Sequence, residues 1–326
     1  MSASTPAATP TRSASHGTPR AAARVPGREA RRLHGVWTAN RYLILRRLTQ
    51  LGVLALFLTG PLAGVWIAKG TLAASLTFDV LPLTDPFVVL QSLVARHWPE
   101  TTALTGVAIV IGFYLIFGGR TFCSFVCPVN PVTDLAAWLR RRLGVEKGFS
   151  MRRETRWLVA VAVLAAAAAT GTIAFELINP VTLIYRAVLF GTLAGLSIVV
   201  AILVFDLVVA RDGWCGHVCP VGTAYGLIGK ATLLRVSARG RTRCDDCLDC
   251  FAVCPENHVI APALRGRDGA TPVILSGDCT ACGRCVDVCP ERVFTFTHRF
   301  DRRVDAALPP SPPVAGPDSP ATLEKV

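Results

Sequence analysis

The sequence predicts an α-helical integral membrane protein with four transmembrane helices, arranged as two duplicated helix pairs, followed by a small cysteine-rich α+β domain. Three observations lead to this fold class. The chain is 52% hydrophobic with a mean hydropathy of +0.46, which is too apolar for an ordinary soluble protein. Four apolar runs are long enough to cross a bilayer. All twelve cysteines fall into short motifs, and each motif occurs twice.

The four apolar runs divide the chain. Pro61 lies inside the first run and predicts a kink there. The second run is the shortest and is expected either to include Phe122–Val126 or to tilt little. The predicted spans are Leu48–Ala68, Thr102–Phe117, Trp157–Phe175 and Ala187–Ala210.

Basic residues flank these runs unevenly. Six arginines between Arg28 and Arg47 precede the first run, and eight basic residues between Arg120 and Arg156 separate the second from the third. The other two connections carry only Lys69, Arg96 and Arg186. Because basic loops stay in the cytoplasm, both termini and the loop between the second and third spans are predicted to be cytoplasmic. The net charge of +12 thus follows membrane flanks and does not indicate a nucleic-acid partner.

Composition predicts four regions. Residues 1–36, rich in Ala, Ser, Thr, Pro and Arg, are typical of a disordered basic arm, and the first apolar run begins too late for a cleavable signal peptide. Residues 37–235 form the four-span membrane domain and residues 236–300 the cysteine-rich domain. The Pro-rich residues 301–326 are predicted to be a disordered tail.

The cysteine-rich domain repeats one pattern. "CDDCLDCFAVCP" (Cys244–Pro255) and "CTACGRCVDVCP" (Cys279–Pro290) are offset by 35 residues, and both read C-x2-C-x2-C-x3-C-P. This is the bacterial-type two-cluster ferredoxin pattern, in which each fourth cysteine ligates the other 4Fe–4S cluster. Zinc ribbons or disulfides are the alternatives, and two complete copies favour iron–sulfur. The predicted ligands are Cys244, Cys247, Cys250 and Cys289 for one cluster, and Cys279, Cys282, Cys285 and Cys254 for the other.

A second motif, C-x3-C-P, is also duplicated. "FCSFVCPVNP" starts at Phe122 and "WCGHVCPVGT" at Trp214, an offset of 92 residues, each after a pair of spans. Two copies related by an axis along the membrane normal would bring the motifs together at the cytoplasmic face. If the motifs are helical, the cysteines of each pair share a face. Metal or cluster ligation, thiol redox chemistry and plain packing all remain open for Cys123, Cys127, Cys215 and Cys219.

From about Trp37 to Phe300 the chain resembles the NapH family of membrane quinol dehydrogenase components associated with periplasmic nitrate reductases. The C-x3-C-P motifs and the loops around them make the resemblance specific, since the two motifs of the cysteine-rich domain alone match many ferredoxin-like proteins. The matching stretches include "LTGPLAGVW" (Leu58–Trp66), "PLTDP" (Pro82–Pro86), "INPVTL" (Ile178–Leu183), "GWCGHVCPVG" (Gly213–Gly222) and "CGRCVDVCPERVFTF" (Cys282–Phe296).

The resemblance implies four spans in the bacterial inner membrane, cytoplasmic termini, two cytoplasmic 4Fe–4S clusters and a quinol as substrate. It also implies a NapG-type ferredoxin-like periplasmic partner, with a membrane-anchored cytochrome as a further candidate. The alternative is a non-catalytic anchor, or a maturation factor for a periplasmic reductase or another metalloenzyme. A structural zinc-binding membrane protein is the third possibility.

Oxidation of a quinol releases two protons together with two electrons, so proton acceptors are expected among the loop and membrane-edge residues. Each candidate has a plain alternative as a solvated loop residue or, for His217, a polar neighbour of the cysteines. The candidates are Asp79, Asp85, His97, Glu176, Asp206 and His217.

Overall fold

The computed structural model describes residues 25–145, 148–149, 151–266 and 269–306. It consists of a helical domain and a small C-terminal domain that begins with the strand at Leu234. The first helix, α1 (Arg28–Thr38), bends at Gly35, which adopts φ 80° and ψ 161°. The second, α2 (Arg41–Ala63), is the longest of the described helices.

The predicted disordered arm is wrong for residues 28–36, because they form most of α1. The backbone N–H of Gly27 donates to Asp249 Oδ2 at 2.8 Å, and His34 Nε2 donates to the carbonyl of Pro290 at 2.7 Å. These contacts join segments more than 200 residues apart, so local composition could not show them. Residues 1–24 lie outside the described residues.

The helix α2 ends differently from the predicted first span. Pro61 lies in its last turn, and Gly64 adopts the left-handed conformation and ends it, so residues 64–68 are not helical. An antiparallel three-stranded sheet follows, in which Lys69 pairs with Leu76 and Ser75 with Leu83. Its strands are β1 (Ala68–Gly70), β2 (Ala74–Thr77) and β3 (Leu81–Thr84).

Two of the shorter helices share one type of N-terminal cap. Each begins with an Asx residue that accepts a hydrogen bond from the second helical N–H, followed by a proline that suits the first helical position. Asp85 caps α3 (Pro86–Val94), and Asn179 caps α7 (Pro180–Phe190). Phe87 packs edge-on against Phe175, with ring centres 5.9 Å apart, so the connection before α4 (Thr101–Phe117) meets the connection before α7.

The remaining long helices correspond to the other predicted spans. The helix α4 (Thr101–Phe117) agrees with the second run to one residue, and α6 (Thr155–Thr170) ends at Gly171, before the predicted end of the third. The fourth run is not one helix. Gly191, in the left-handed conformation, ends α7, and α8 (Leu193–Val204) starts afresh and continues as a π-helical turn, Phe205–Val209.

The 92-residue duplication extends beyond the cysteines. The helix α4 occupies residues 101–117, and its shifted counterpart, residues 193–209, is α8 with its π-helical turn. Each copy then passes through a π-helical turn bearing C-x3-C, Phe122–Val126 or Trp214–Val218. The following helices are α5 (Asn130–Leu143) and α9 (Pro220–Gly229). The helical domain therefore contains two copies of one structural unit.

One described helix, α2, is long and apolar enough by itself to cross a membrane. The other apolar helices among the described residues are shorter, at 10 to 17 residues. The prediction of four spans is thus not confirmed. Large apolar side chains nevertheless face outward along α2, α4, α6 and α8, among them Leu51, Phe113, Val161 and Leu196.

The C-terminal domain has the predicted α+β composition. Strand β4 (Leu234–Ser237) pairs antiparallel with β5 (Thr295–His298). Its short helices are α10 (Asp249–Val253), α11 (Ile260–Arg265) and α12 (Arg284–Val288). The predicted boundary at residue 300 is too early, because the N–H of Asp305 donates to Arg239 O at 2.9 Å. Residues 307–326 lie outside the described residues.

The helix α2 docks on the C-terminal domain through Tyr42. Its ring lies 5.0 Å from that of Phe296, and Asp287 accepts hydrogen bonds from the N–H groups of Tyr42 and Leu43. Gly283 allows this approach, since it has φ 72° and a Cβ there would lie 2.4 Å from Tyr42 Cγ.

We expect Gly283→Ala to lower the thermal unfolding midpoint of the detergent-solubilised protein more than Gly171→Ala does. Gly171 has φ 65°, but a Cβ added there would meet nothing within 4 Å, so both variants incur about 1–2 kcal/mol of backbone strain. Only Gly283→Ala also displaces Tyr42, at a cost of about 1–3 kcal/mol. Equal losses would show that the Tyr42 contact contributes nothing.

Candidate functional site

The first predicted cluster set comes together in the structure. Cys244, Cys247, Cys250 and Cys289 line one small cavity of the C-terminal domain, closed by Leu264 and Phe294. Burial raises the pKa of Cys247 and of Cys250 to about 12, so in the absence of metal these thiols are protonated at neutral pH. A metal centre would replace those protons and supply the positive charge that the buried thiolates require. The residues present therefore fit a 4Fe–4S cluster.

The cysteines of the second set also lie near one another. Cys254 is close enough to Cys279 and Cys282 for their charges to interact, and Cys285 is close enough to all three. Burial raises the pKa of Cys279 to about 11. Packing of α10 against α12 holds the two sets next to each other. The exchange of the fourth cysteine between motifs is thus compatible with the chain's geometry.

The 35-residue duplication is visible in the backbone of both cysteine loops. Asp246 and Leu248 have φ 55° and 62°, and the corresponding Ala281 and Gly283 have φ 47° and 72°. Left-handed residues other than glycine are strained, and such strain concentrates at functional sites. Here it curls each loop tightly between its cysteines. In addition, the N–H of Val293 donates to Cys289 Sγ at 3.4 Å.

The two C-x3-C-P motifs also meet. Each first cysteine lies in a π-helical turn and each second cysteine ends it in extended conformation, with Cys127 N–H bonded to Phe122 O and Cys219 N–H to Trp214 O. The motifs are therefore not α-helical, and wide π-helical turns are frequent at functional sites. All four cysteines line one cavity, together with Pro180 and Val181 at the start of α7.

This four-cysteine cavity can hold an anionic group. It is apolar apart from its sulfur atoms, and the N-terminus of α7 brings the positive end of a helix dipole to its wall. Within the described part of the chain, no three or more His, Cys, Asp or Glu side chains are grouped as a single metal ion would require. A cluster of several irons is larger than one ion and spreads its thiolate ligands further apart.

Arg120, which sequence reasoning missed, links the helical and C-terminal domains. Its side chain is 2% exposed and its Nη1 lies 2.7 Å from Glu256 Oε1. It also donates to the carbonyl of Asp278 and, through Nη2, to that of Cys215, both at 3.0 Å. One arginine thus contacts the second C-x3-C-P motif and both cysteine loops of the C-terminal domain.

Other charges surround this pair. Arg156 donates to Asp278 Oδ1 at 2.7 Å, and both Arg153 and Arg156 approach Glu256 within 4 Å. A small cavity beside them is lined by Cys123, Cys215 and Cys282. The C-x3-C-P site therefore adjoins the second of the two cysteine sets of the C-terminal domain, which we call the tail sets. In the sequence, Arg120 lies three residues before Cys123 and Glu256 lies directly after Cys254-Pro255, so each is next to a cysteine motif, but nothing in the sequence pairs the two.

Two of the proposed proton acceptors lie at the C-x3-C-P site. Asp206 is 1% exposed, and its Oδ1 accepts from the N–H of Trp214 at 2.9 Å, which fixes the start of the second π-helical turn. Its Oδ2 is buried without a hydrogen-bond partner among the described residues. His217 lies on that turn, and its Nδ1 is likewise buried with no hydrogen-bond partner in the described part of the chain. Both are therefore neighbours of the cysteines.

The four candidates in the connections that precede α4 (residues 101–117) and α7 (residues 180–190) fall into two groups. Asp85 is buried, accepting from the N–H of Phe87 at 2.6 Å and facing the hydroxyl of Tyr225 at 3.4 Å. Glu176 accepts from Asn179 and Thr182, each at 2.7 Å. Asp79 instead forms an exposed ion pair with Lys69, and exposed His97 bonds to the carbonyl of Gly171. Neither Asp79 nor His97 lines the cysteine sites.

Family models assign both motif types to iron–sulfur proteins. A model described as "4Fe-4S binding domain" matches residues 100–146 and 192–241, the two copies of the duplicated helical unit. A "4Fe-4S dicluster domain" model matches residues 243–293.

Curated relatives cover nearly the whole chain. Ferredoxin-type protein NapH of Escherichia coli (strain K12) is 49% identical over 276 residues, 84% of this chain and 95% of the relative. The Haemophilus influenzae NapH is 46% identical over 275 residues, 84% and 96%. The chain belongs to the NapH family. NapH membership confirms the resemblance inferred from the motifs.

The same level of similarity extends to a second named group. "Methylamine utilization ferredoxin-type protein MauN" of Methylorubrum extorquens is 48% identical over 279 residues, 86% of this chain and 96% of the relative. No solved structure matches the chain. As a NapH-family member with ferredoxin-type cysteine domains, the protein is an iron–sulfur electron-transfer protein.

Proposed function

We propose that this protein is a membrane subunit that oxidises quinol and, with a NapG-type ferredoxin partner, passes electrons towards a periplasmic nitrate reductase. The observation that carries the proposal is the continuity of its three cysteine sites. The C-x3-C-P cysteines share a cavity wall with Cys282, and the two tail sets adjoin each other through α10 and α12.

We further propose the ligands. Cys244, Cys247, Cys250 and Cys289 hold one 4Fe–4S cluster, and Cys254, Cys279, Cys282 and Cys285 hold another. Cys123, Cys127, Cys215 and Cys219 hold a third iron–sulfur cluster within the helical domain. Bound there, such clusters supply one-electron transfer, whereas a quinol gives up two electrons and two protons to become a quinone.

The residues of this chain provide the setting for that chemistry. Four of the twelve cysteines are buried and the other eight are partly buried, and Arg120 holds the C-x3-C-P site against the C-terminal domain. The N-terminal helix α1 and the arginine-rich segment around Arg153 and Arg156 each contact the C-terminal domain. This supports placing them together on the cytoplasmic side, with four spans in the inner membrane.

The length of the helices is compatible with this membrane placement. At 1.5 Å per residue, the 17 residues of α4 extend about 25 Å, close to the thickness of the hydrocarbon core. Trp66 and Trp98 are exposed in the connection between α2 and α4, and Trp157 is exposed at the opposite end of the helical domain. These are the positions expected for tryptophans at the two membrane interfaces.

The decisive test is reduction by quinol. Purified protein in lipid nanodiscs should lose visible iron–sulfur absorption when decylubiquinol or a menaquinol analogue is added. The measurement is repeated with the NapG-type partner present, so that a further electron acceptor can draw electrons through the clusters. Protein that is reduced by dithionite but by no quinol, with or without that partner, would contradict the proposal.

A second candidate is a maturation role for a periplasmic enzyme. The chain is as similar to relatives named for methylamine utilization as to NapH, so its cysteine sites are not tied to one periplasmic reductase. The two functions predict different deletion phenotypes. If the protein delivers electrons, a deletion strain should contain a periplasmic enzyme that is active with reduced viologen as artificial donor. If it is a maturation factor, that enzyme should remain inactive with the same donor.

A further inference from the structure

A cavity of about 460 Å³ lies where the helical domain meets the C-terminal domain. Its walls are the start of α6, one face of α9 and the loop before Cys279. Residues from each wall are Arg156 and Trp157, Thr223, Gly226 and Lys230, and Gly277. The cavity is separate from the spaces enclosed by the cysteines.

We propose that this cavity binds the headgroup of a membrane quinol, an inference that rests on the proposed quinol oxidation. Its volume falls within the range of about 300–1,000 Å³ typical of small-molecule sites. Trp157 supplies an aromatic wall at the beginning of an apolar helix, where a quinol ring would enter from the bilayer interface.

Two side chains of the cavity carry donors without a partner among the described residues, and a third makes only one long hydrogen bond. Arg156 Nε is buried and has no partner among the described residues. Lys230 likewise forms no hydrogen bond or ion pair in the described part of the chain that would occupy its ammonium group. The hydroxyl of Thr223 reaches only the carbonyl of Arg156, at 3.5 Å. Donors on two walls match a ring that carries an oxygen at each end.

The surroundings favour a quinol over a water-soluble ligand. Leu158 and Leu227, next in sequence to wall residues, are 71% and 49% exposed, and Leu275 of the wall is 44% exposed. These apolar side chains give an isoprenoid tail a surface continuous with the lipid-facing helices. A phosphate or a nucleotide has no apolar chain that could cover these leucines.

The cavity also adjoins two of the cysteine sites. The loop that contributes Gly277 leads directly into Cys279, and Gly222 and Thr223 follow Cys219 in α9 by three and four residues. The backbones of Gly277 and Gly226 are in close contact at the cavity wall, because a Cβ on Gly277 would lie 2.1 Å from the carbonyl oxygen of Gly226. A quinol ring held there would lie between the second tail set and the C-x3-C-P site.

The test uses the full-length holoprotein in nanodiscs with an azidoquinone photolabel and decylubiquinol as competitor. Labelled peptides should come from the starts of α6 and α9. Lys230→Met should raise the Kd of decylubiquinol roughly tenfold, the change expected for loss of one charge-assisted hydrogen bond. Thr223→Val, which keeps the side-chain shape, should also weaken binding. The matched control is Lys69→Met in the connection between α2 and α4, which should leave binding unchanged.

Three results would overturn the inference. Labelling elsewhere, with Lys230→Met binding quinol normally, would place the quinol site away from this cavity while leaving the proposed function intact. Labelling that phosphatidylglycerol displaces and decylubiquinol does not would assign the cavity to a lipid headgroup. Wild-type protein that neither binds nor oxidises any quinol would remove the proposed function itself.

Discussion

Replacing Cys123, Cys127, Cys215 and Cys219 together by serine is expected to lower the iron content from about twelve to about eight atoms per chain. The four residues line one cavity, so they are expected to bind one cluster jointly. The two tail sets lie in the separate C-terminal domain and should keep their iron. Iron analysis and low-temperature spin resonance of the reduced protein measure both quantities.

The sharper version of this experiment compares the two motifs separately. If one cluster bridges them, Cys123→Ser/Cys127→Ser and Cys215→Ser/Cys219→Ser should each lose about four irons, and combining them should lose no more. Two independent metal sites would instead give losses that add. Wild-type protein with about eight irons, and unchanged spectra in all three variants, would show that these cysteines only pack.

The outcome matters for the electron route, because the tail sets lie on one side of the helical domain. The core around the C-x3-C-P cysteines includes Phe87 and Phe175, which belong to the connections before α4 and before α7. A cluster there would therefore lie between the C-terminal domain and the opposite end of the molecule. With only the two tail clusters, the chain would have no redox group in the helical domain.

The cysteine sites could be predicted from the sequence because their information is local or periodic. Offsets of 35 and 92 residues identified equivalent positions, and the structure gives those positions the same backbone conformation. The bounds of α4 were also predictable, since an apolar run lies there between Glu100 and Gly118.

Other features could not be predicted because they depend on distant contacts. Hydropathy reads Ala187–Ala210 as one run, but the left-handed Gly191 divides it, and the residues before it pack as α7. Arg28–Thr38 becomes a helix through contacts with the C-terminal domain. Arg120 and Glu256 are 136 residues apart, so nothing local indicates their pairing.

Glu256→Gln is expected to be among the most destabilising single substitutions in the chain. Glu256 is 5% exposed and lies against three arginines, Arg120, Arg153 and Arg156. Removal of its charge leaves the buried Arg120 guanidinium with only carbonyl acceptors nearby. Loss of one partner from a buried ion pair typically costs about 3–5 kcal/mol.

The chain offers a matched control for this substitution. Glu291 follows Cys289-Pro290 just as Glu256 follows Cys254-Pro255, but it is exposed and forms none of these ion pairs. Glu291→Gln should therefore change the free energy of unfolding by no more than about 0.5 kcal/mol. Chemical unfolding of the two holoprotein variants, followed through cluster absorption and tryptophan fluorescence, compares them directly.

The variants Glu256→Gln and Glu291→Gln also distinguish a loss of overall stability from a loss of contact between the two domains. If Arg120 and Glu256 hold the two domains together, Glu256→Gln should expose the connection between α9 and β4 to limited proteolysis while the tail clusters remain chemically reducible. Glu291→Gln should leave that connection protected. Equal protease sensitivity and equal unfolding free energies in both variants would mean that the buried ion pair contributes little, and that apolar packing between the domains holds the cysteine sites in register.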